Sequence, residues 1–287
     1  MIEEIVQALQ LGFMRNALMA GVLVSIACGI IGTFIVIKRI VFISGGVAHA
    51  AYGGIGLGYF LGFNPVLGAI VFSVVAALGM GLVQRRTRER VDTVIGVLWA
   101  IGMATGIILV DLTEGYKADL MSYLFGSILT VPTRDLLIML ALDVVIGILV
   151  ALFYKELLAI SFDETFASVE NVPVDTIYLI LMCMIALTVV MMMRVVGLIM
   201  VIAMLTVPAA ISSQFVTDLK RMMVWASVLG MTFTTTGLWL SYFLNLTSGA
   251  TIILVSGVGY LLALGVKRTF FQGSAESEIG ELAAEAG

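Results

Sequence analysis

Nine apolar runs, each long enough to cross the hydrocarbon core of a bilayer, dominate the chain. They fall at about residues 12–37, 41–62, 65–83, 93–111, 135–154, 176–193, 195–216, 222–244 and 249–267. Polar breaks separate them: KR at 38–39, QRRTRERVD at 84–92, the stretch 155–175, DLKR at 218–221 and KR at 267–268. Assigning those five breaks to the cytoplasm places eleven of the fifteen Lys and Arg residues inside, leaving only Arg15, Lys117, Arg134 and Arg194 outside. The positive-inside rule then sets the N-terminus outside and the C-terminus in the cytoplasm, which needs an odd number of crossings. Nine meets that condition.

Three stretches depart from the simple pattern. Residues 120–131, LMSYLFGSILTV, are apolar but too short to span, and both flanks (Asp119 and Arg134) are assigned outside. They predict a short re-entrant or interfacial helix. Pro208 lies deep in VVGLIMVIAMLTVPAAISSQF, so that helix is expected to kink or break near residue 204, with Thr206 and Ser212 placed to satisfy the freed carbonyls. Residues 269–287 are small and acidic and read as a disordered cytoplasmic tail, leaving 1–268 as the membrane domain. The opening MIEEIVQALQ has no basic region, so no cleaved signal peptide is expected.

Composition agrees with the pattern. Of 287 residues, 61% are hydrophobic and only 12% charged, with a mean hydropathy of +1.15. The fold class is therefore an all-α polytopic membrane protein. The net charge of −4 belongs to the tail glutamates 276, 278, 281 and 285, which leaves no basic surface for nucleic acid. Cys28 and Cys183 both sit in apolar runs without CxxC spacing, which argues against a disulfide framework.

Candidate chemistry is sparse. There is no GxxxxGK[ST] loop, no HExxH and no second histidine to complete a zinc site. Catalysis by this chain alone is not expected, and no cofactor is called for. The only histidine, His49, stands in VFISGGVAHAAYGGIGLGYFLG (41–62). Beside it Gly46, Ala50, Gly54 and Gly58 recur every four residues, a bare helix stripe on which a neighbouring helix can pack closely. An imidazole there either lines a pathway or hydrogen-bonds a carbonyl of the next helix. Asp143, eight residues into its run, should face the bundle interior, with structural pairing the favoured role. The methionines at 182, 184, 191–193, 200 and 204 read as packing rather than as soft metal ligands. In LLAISFDETFASVENVPVD, Asp163 and Glu164 mark the start of a helix of about two turns that ends before Pro173. Its Phe162 and Phe166 share a face and predict docking, onto a partner or back onto the membrane.

These blocks resemble the membrane permeases of ABC importers for zinc, manganese and iron(II). The resemblance is carried by GGVAHAAYGG, by DTVIGVLWAIGMATGIIL from Asp92, by LMSYLFGSIL (120–129), by VGLIMVIAMLTVPAA (196–210) and by SGATIILVSG, five blocks in order. It implies a homodimer in a prokaryotic inner membrane, a separate ABC ATPase, an extracytoplasmic metal-binding protein and a divalent metal ion as cargo. It further implies that His49 contacts the metal and that Pro208 and the small-residue stripe serve helix packing or gating. Residues 162–173 would be the coupling helix, with Phe162, Asp163, Glu164, Phe166, Ala167, Glu170 and Asn171 facing the ATPase. Two departures stand out: the family often has Gly where this chain has Asn171, and commonly an aspartate where it has Gly45. The second keeps open an alternative cargo, a chelated metal or vitamin-sized ligand. A gradient-driven carrier without an ATPase is the reading furthest from both.

Overall fold

The computed structural model describes residues 7–86, 91–113, 126 and 128–285. Eleven α-helices carry the described chain. In order they are α1 (Gly12–Ile37), α2 (Val41–Leu61), α3 (Pro65–Arg86), α4 (Val91–Asp111), α5 (Thr133–Leu152), α6 (Tyr154–Phe162), α7 (Glu164–Val169), α8 (Val174–Val196), α9 (Leu198–Phe215), α10 (Leu219–Leu244) and α11 (Ser248–Glu285). Eight of them are long and apolar enough to span a membrane, and the shorter apolar helix at Met200–Phe215 is a ninth that matches an expected run. Helices are the solution the bilayer demands, because each satisfies its backbone hydrogen bonds within itself.

Burial sorts the helices into a centre and a periphery. α1, α2 and α8 are mostly enclosed, whereas α4, α5 and α11 keep most of their apolar surface exposed. The centre is joined by small residues and methionines: Met182, Met184, Met191, Met192, Met193, Met200 and Met204 are all buried, as packing requires. Cys28 and Cys183 are free, and the Cys28 thiol donates to Met192 Sδ across 3.1 Å. Deeper polar groups pair locally, as where Ser25 and Thr234 join α1 to α10 at 3.3 Å.

Several expectations need correction. The boundary between the sixth and seventh runs lies at Gly197, whose φ of +76° joins α8 directly to α9. Only glycine adopts that backbone readily. α9 continues through Pro208 as one helix rather than breaking near 204. Thr206 donates to the Ile202 carbonyl at 2.7 Å and the Ser212 hydroxyl has no partner among the described residues, so neither repairs a bond lost to the proline. Both carboxylate oxygens of Asp143 are shielded and without a hydrogen-bond partner among the described residues, against the expected pairing. α11 runs on as helix past the last expected apolar run to Glu285; the Glu, Ala and Leu of ESEIGELAAE favour helix by propensity. Most of the proposed re-entrant segment 120–131 falls outside the described residues, and its end forms a 3-10 turn at Ile128–Thr130.

Candidate functional site

Two regions collect the residues that the sequence singles out. The first is the wall around His49, near the middle of α2. The small-residue stripe does bring helices into backbone contact, but onto two neighbours. A methyl added at Gly54 would collide with the Gly68 carbonyl of α3, and one at Gly58 would stand 2.6 Å from Pro65 Cα. At Gly46 it would meet Ile95 Cγ2 of α4 at 2.7 Å and Met80 Sδ of α3 at 3.1 Å. Ala50 lies against α4, where a methyl on Gly102 would stand 2.8 Å from its Cα. A second set extends that contact, Gly53 and Gly56 against Gly102 and Gly106. Its signal is the GxxxG spacing at 102–106, which passes unnoticed when only α2 is read.

His49 is half-buried in this wall. Its ring lies flat against the Trp99 indole of α4, with centroids 4.1 Å apart and planes 18° from parallel. Its Nδ1 is shielded and makes no hydrogen bond among the described residues, so no neighbouring carbonyl there satisfies that nitrogen. An unpartnered imidazole nitrogen inside a membrane bundle is a costly feature without a function. No cluster of three or more His, Cys, Asp or Glu able to hold a metal occurs among the described residues. A single nitrogen donor suits transient contact with a passing ion better than storage.

The second region surrounds α7, on the side that the sequence assigns to the cytoplasm. Asp163 caps α7, its Oδ1 accepting from the backbone N–H of Thr165 at 2.8 Å and of Phe166 at 3.0 Å. The helix is six residues long, a little shorter than the expected two turns. Ala167 is buried beneath it, while Phe162, Phe166 and Val169 stand 64%, 59% and 74% exposed. Glu170 forms the C-cap, and Asn171 follows with φ +60°. Asparagine tolerates that left-handed backbone better than most residues, so the loop turns here in the conformation a glycine would favour.

Glu164 ties this helix to the membrane domain. Its Oε1 accepts from Lys38 Nζ at 2.7 Å and its Oε2 from Arg85 Nη1 at 3.2 Å. Lys38, at the end of α1, also donates to the Ile160 carbonyl at 2.6 Å, and its side chain is only 7% exposed. Arg85, at the end of α3, additionally pairs with Asp175 at the start of α8. The Tyr178 hydroxyl donates to Gln84, and its ring lies 5.6 Å from the Lys38 ammonium. Burial alone would raise the Glu164 pKa; the hydrogen bond and charge of Lys38, joined by Arg85, outweigh it and hold the carboxyl below its ordinary value. Beside α7 opens a cavity of about 650 Å³ lined by Arg85, Glu164, Ser168, Val169 and Pro173 among others. Lys38, Arg85, Asp175 and Tyr178 are not singled out in the sequence, where the basic residues serve only to set topology.

A helical bundle of this kind, with a half-buried imidazole in its wall and an exposed capped helix at one end, defines a multi-pass membrane permease. The chain belongs to the ABC 3 transport family, whose model matches residues 10–267. It is 63% identical over 268 residues to an uncharacterized membrane protein of Synechocystis sp., covering 93% of this chain and 95% of that one. It is 36% identical to the manganese transport system membrane protein MntC of Listeria monocytogenes, covering 89% and 91%. Among solved structures it resembles PsaBC from Streptococcus pneumoniae in complex with Fab, with a TM-score of 0.86 at 32% identity, over 96% of this chain and all of that one.

Proposed function

We propose that this chain is the permease subunit of an ABC importer and conducts a divalent transition-metal ion into the cytoplasm. The observation that carries the reading is the near full-length match to a relative named for manganese transport, supported by the unpartnered His49 nitrogen in the bundle. Energy comes from ATP hydrolysis in a separate subunit. α7 and the end of α6 are its docking element: Phe162, Phe166 and Val169 present apolar side chains outward, while Glu164 fastens α7 to α1 and α3 behind it. An exposed apolar face on a cytoplasmic helix suits a partner's groove.

The exposed apolar surfaces of α4, α5 and α11 supply area for lipid and for a second copy of the chain, so the assembly is a homodimer. With the cytoplasmic ends of α1 and α3 carrying Lys38, Arg39, Arg85 and Arg86, the N-terminus lies outside the cell membrane and the C-terminus in the cytoplasm. Residues 1–268 form the membrane domain and 269–287 a cytoplasmic extension. An extracytoplasmic binding protein delivers the ion, which the chain passes on as cargo and holds as no cofactor.

The test is uptake into proteoliposomes holding the chain with its ATPase and fed by the binding protein. Free Mn²⁺, Zn²⁺ and Fe²⁺ are compared with their chelates. ATP-dependent uptake of at least one free ion supports the proposal. Uptake of a chelate alone, with free ions failing to compete, replaces it with the larger-ligand reading.

A further inference from the structure

Trp99 does more than touch His49. The same indole also contacts Phe42, at 5.9 Å between ring centroids, so it lies along α2 from residue 42 to residue 49. Between those positions stands Gly45. A methyl there would sit 3.8 Å from the indole and 2.9 Å from Ile202 Cδ1 of α9. The indole is at ordinary contact distance from that methyl and Ile202 is the side chain it would crowd, so the bare Gly45 backbone leaves room for both side chains beside α2. The close approach of α4 to α2 at Gly102 and Ala50 holds the indole down from one turn away.

The indole closes one face of the half-buried imidazole, its Nδ1 is shielded, and Ile202 lies against Gly45 one turn away. An indole offers a hydrogen-bond donor and no lone pair, and Ile202 offers nothing polar. An ion entering this arrangement would exchange its hydration shell for one nitrogen and two apolar walls, which is unfavourable. It reaches the ring with enough of its own ligands only when the indole lifts away.

We infer that Trp99 is the gate over His49, seated in the gap left by Gly45 and displaced each time an ion uses the imidazole. The inference rests on the proposed reading that His49 lines the ion route.

Because His49 is the only histidine in the chain, its accessibility can be read directly. The assembled permease–ATPase complex is treated with diethyl pyrocarbonate, and the His49 peptide is followed by mass spectrometry. ATP-independent leak of Mn²⁺ and Zn²⁺ is measured on the same preparations. Trp99→Ala should speed modification of His49 several-fold and open a leak, while Trp99→Phe, which keeps a ring over the imidazole, should do neither. Gly45→Val keeps the tryptophan but fills its seat, and should speed modification as Trp99→Ala does; it serves if Trp99→Ala fails to assemble. Equal modification rates in wild type and in either displaced variant overturn the gate. So does faster modification without leak in a complex that transports normally, because another barrier then closes the route. A wild-type complex that modifies slowly, responds to Trp99→Ala, yet carries no ion under any condition contradicts the proposed function instead.

Discussion

The wall around His49 and the cluster around Glu164 are held together by opposite means. In the wall, α2 meets α3 and α4 backbone to backbone through Gly53, Gly54, Gly56, Gly68, Gly102 and Gly106. In the cluster, α7 is joined to α1 and α3 by Lys38, Glu164 and Arg85, while its outer face stays open. A contact made of shape tolerates neither an added methyl nor a gap, and is indifferent to pH and salt. A contact made of charge can slip, re-form and titrate. On the proposed reading the pairing suits a transporter, with a stiff wall for the ion route and an adjustable joint to receive motion from the ATPase.

The comparison breaks first at Gly54. Gly54→Val drives a branched side chain into the Gly68 backbone and should cost about 1–3 kcal/mol or more, as overpacking does, seen as a lower melting temperature in detergent. Gly79, where an added methyl meets open space, is the control, and Gly79→Ala should leave melting unchanged or slightly raised. Equal stability of the two variants would remove shape as the organising force of the wall.

A smaller effect is expected in the joint. Glu164→Gln removes both ion pairs and leaves the nearly enclosed Lys38 ammonium with the Ile160 carbonyl. Because Glu164 is 43% exposed, screening limits the stability loss to about 1 kcal/mol. ATP-driven uptake should fall further than melting does, and Gly54 variants should show the reverse order.

The same carboxylate sets a pH dependence. Its folded pKa lies below the ordinary value of 4.5, so its contribution is present above that value and disappears as pH falls through the lower, folded one. Melting temperature titrated from pH 7 downward should lose this acid-sensitive component in Glu164→Gln. An identical acid limb in both proteins would mean that Glu164 is not held by Lys38 and Arg85 in the folded state. Smallest is Asn171→Ala, which places a Cβ without local polar compensation at φ +60° and should cost about 1 kcal/mol. Asn171→Gly should be neutral or better.

Much of this was legible in the residues because a bilayer leaves a chain few choices. Nine apolar runs became nine helices, eight of them within a few residues and the last running on to Glu285, and Asp163 marked α7 because a carboxylate at an N-terminus satisfies free N–H groups. What stayed hidden depends on distant partners. Lys38 and Glu164 are 126 residues apart, and Arg85 and Glu164 are 79 apart, so loop charges that read as topology signals proved to be ties. Trp99 reads as one more apolar residue of α4 until α2 is laid beside it. The separate helix α6 was folded into a polar stretch, since the break at Phe153 has neither glycine nor proline to announce it. Pro208 signals a kink or a break, and α9 runs through it without a break.

The central claim is that ions pass the imidazole of His49. The direct measurement is ATP-driven uptake of divalent metal by His49→Ala in complexes shown to assemble and hydrolyse ATP as wild type does. Loss of uptake with assembly intact is the expected result; uptake at the wild-type rate would take the imidazole off the ion route.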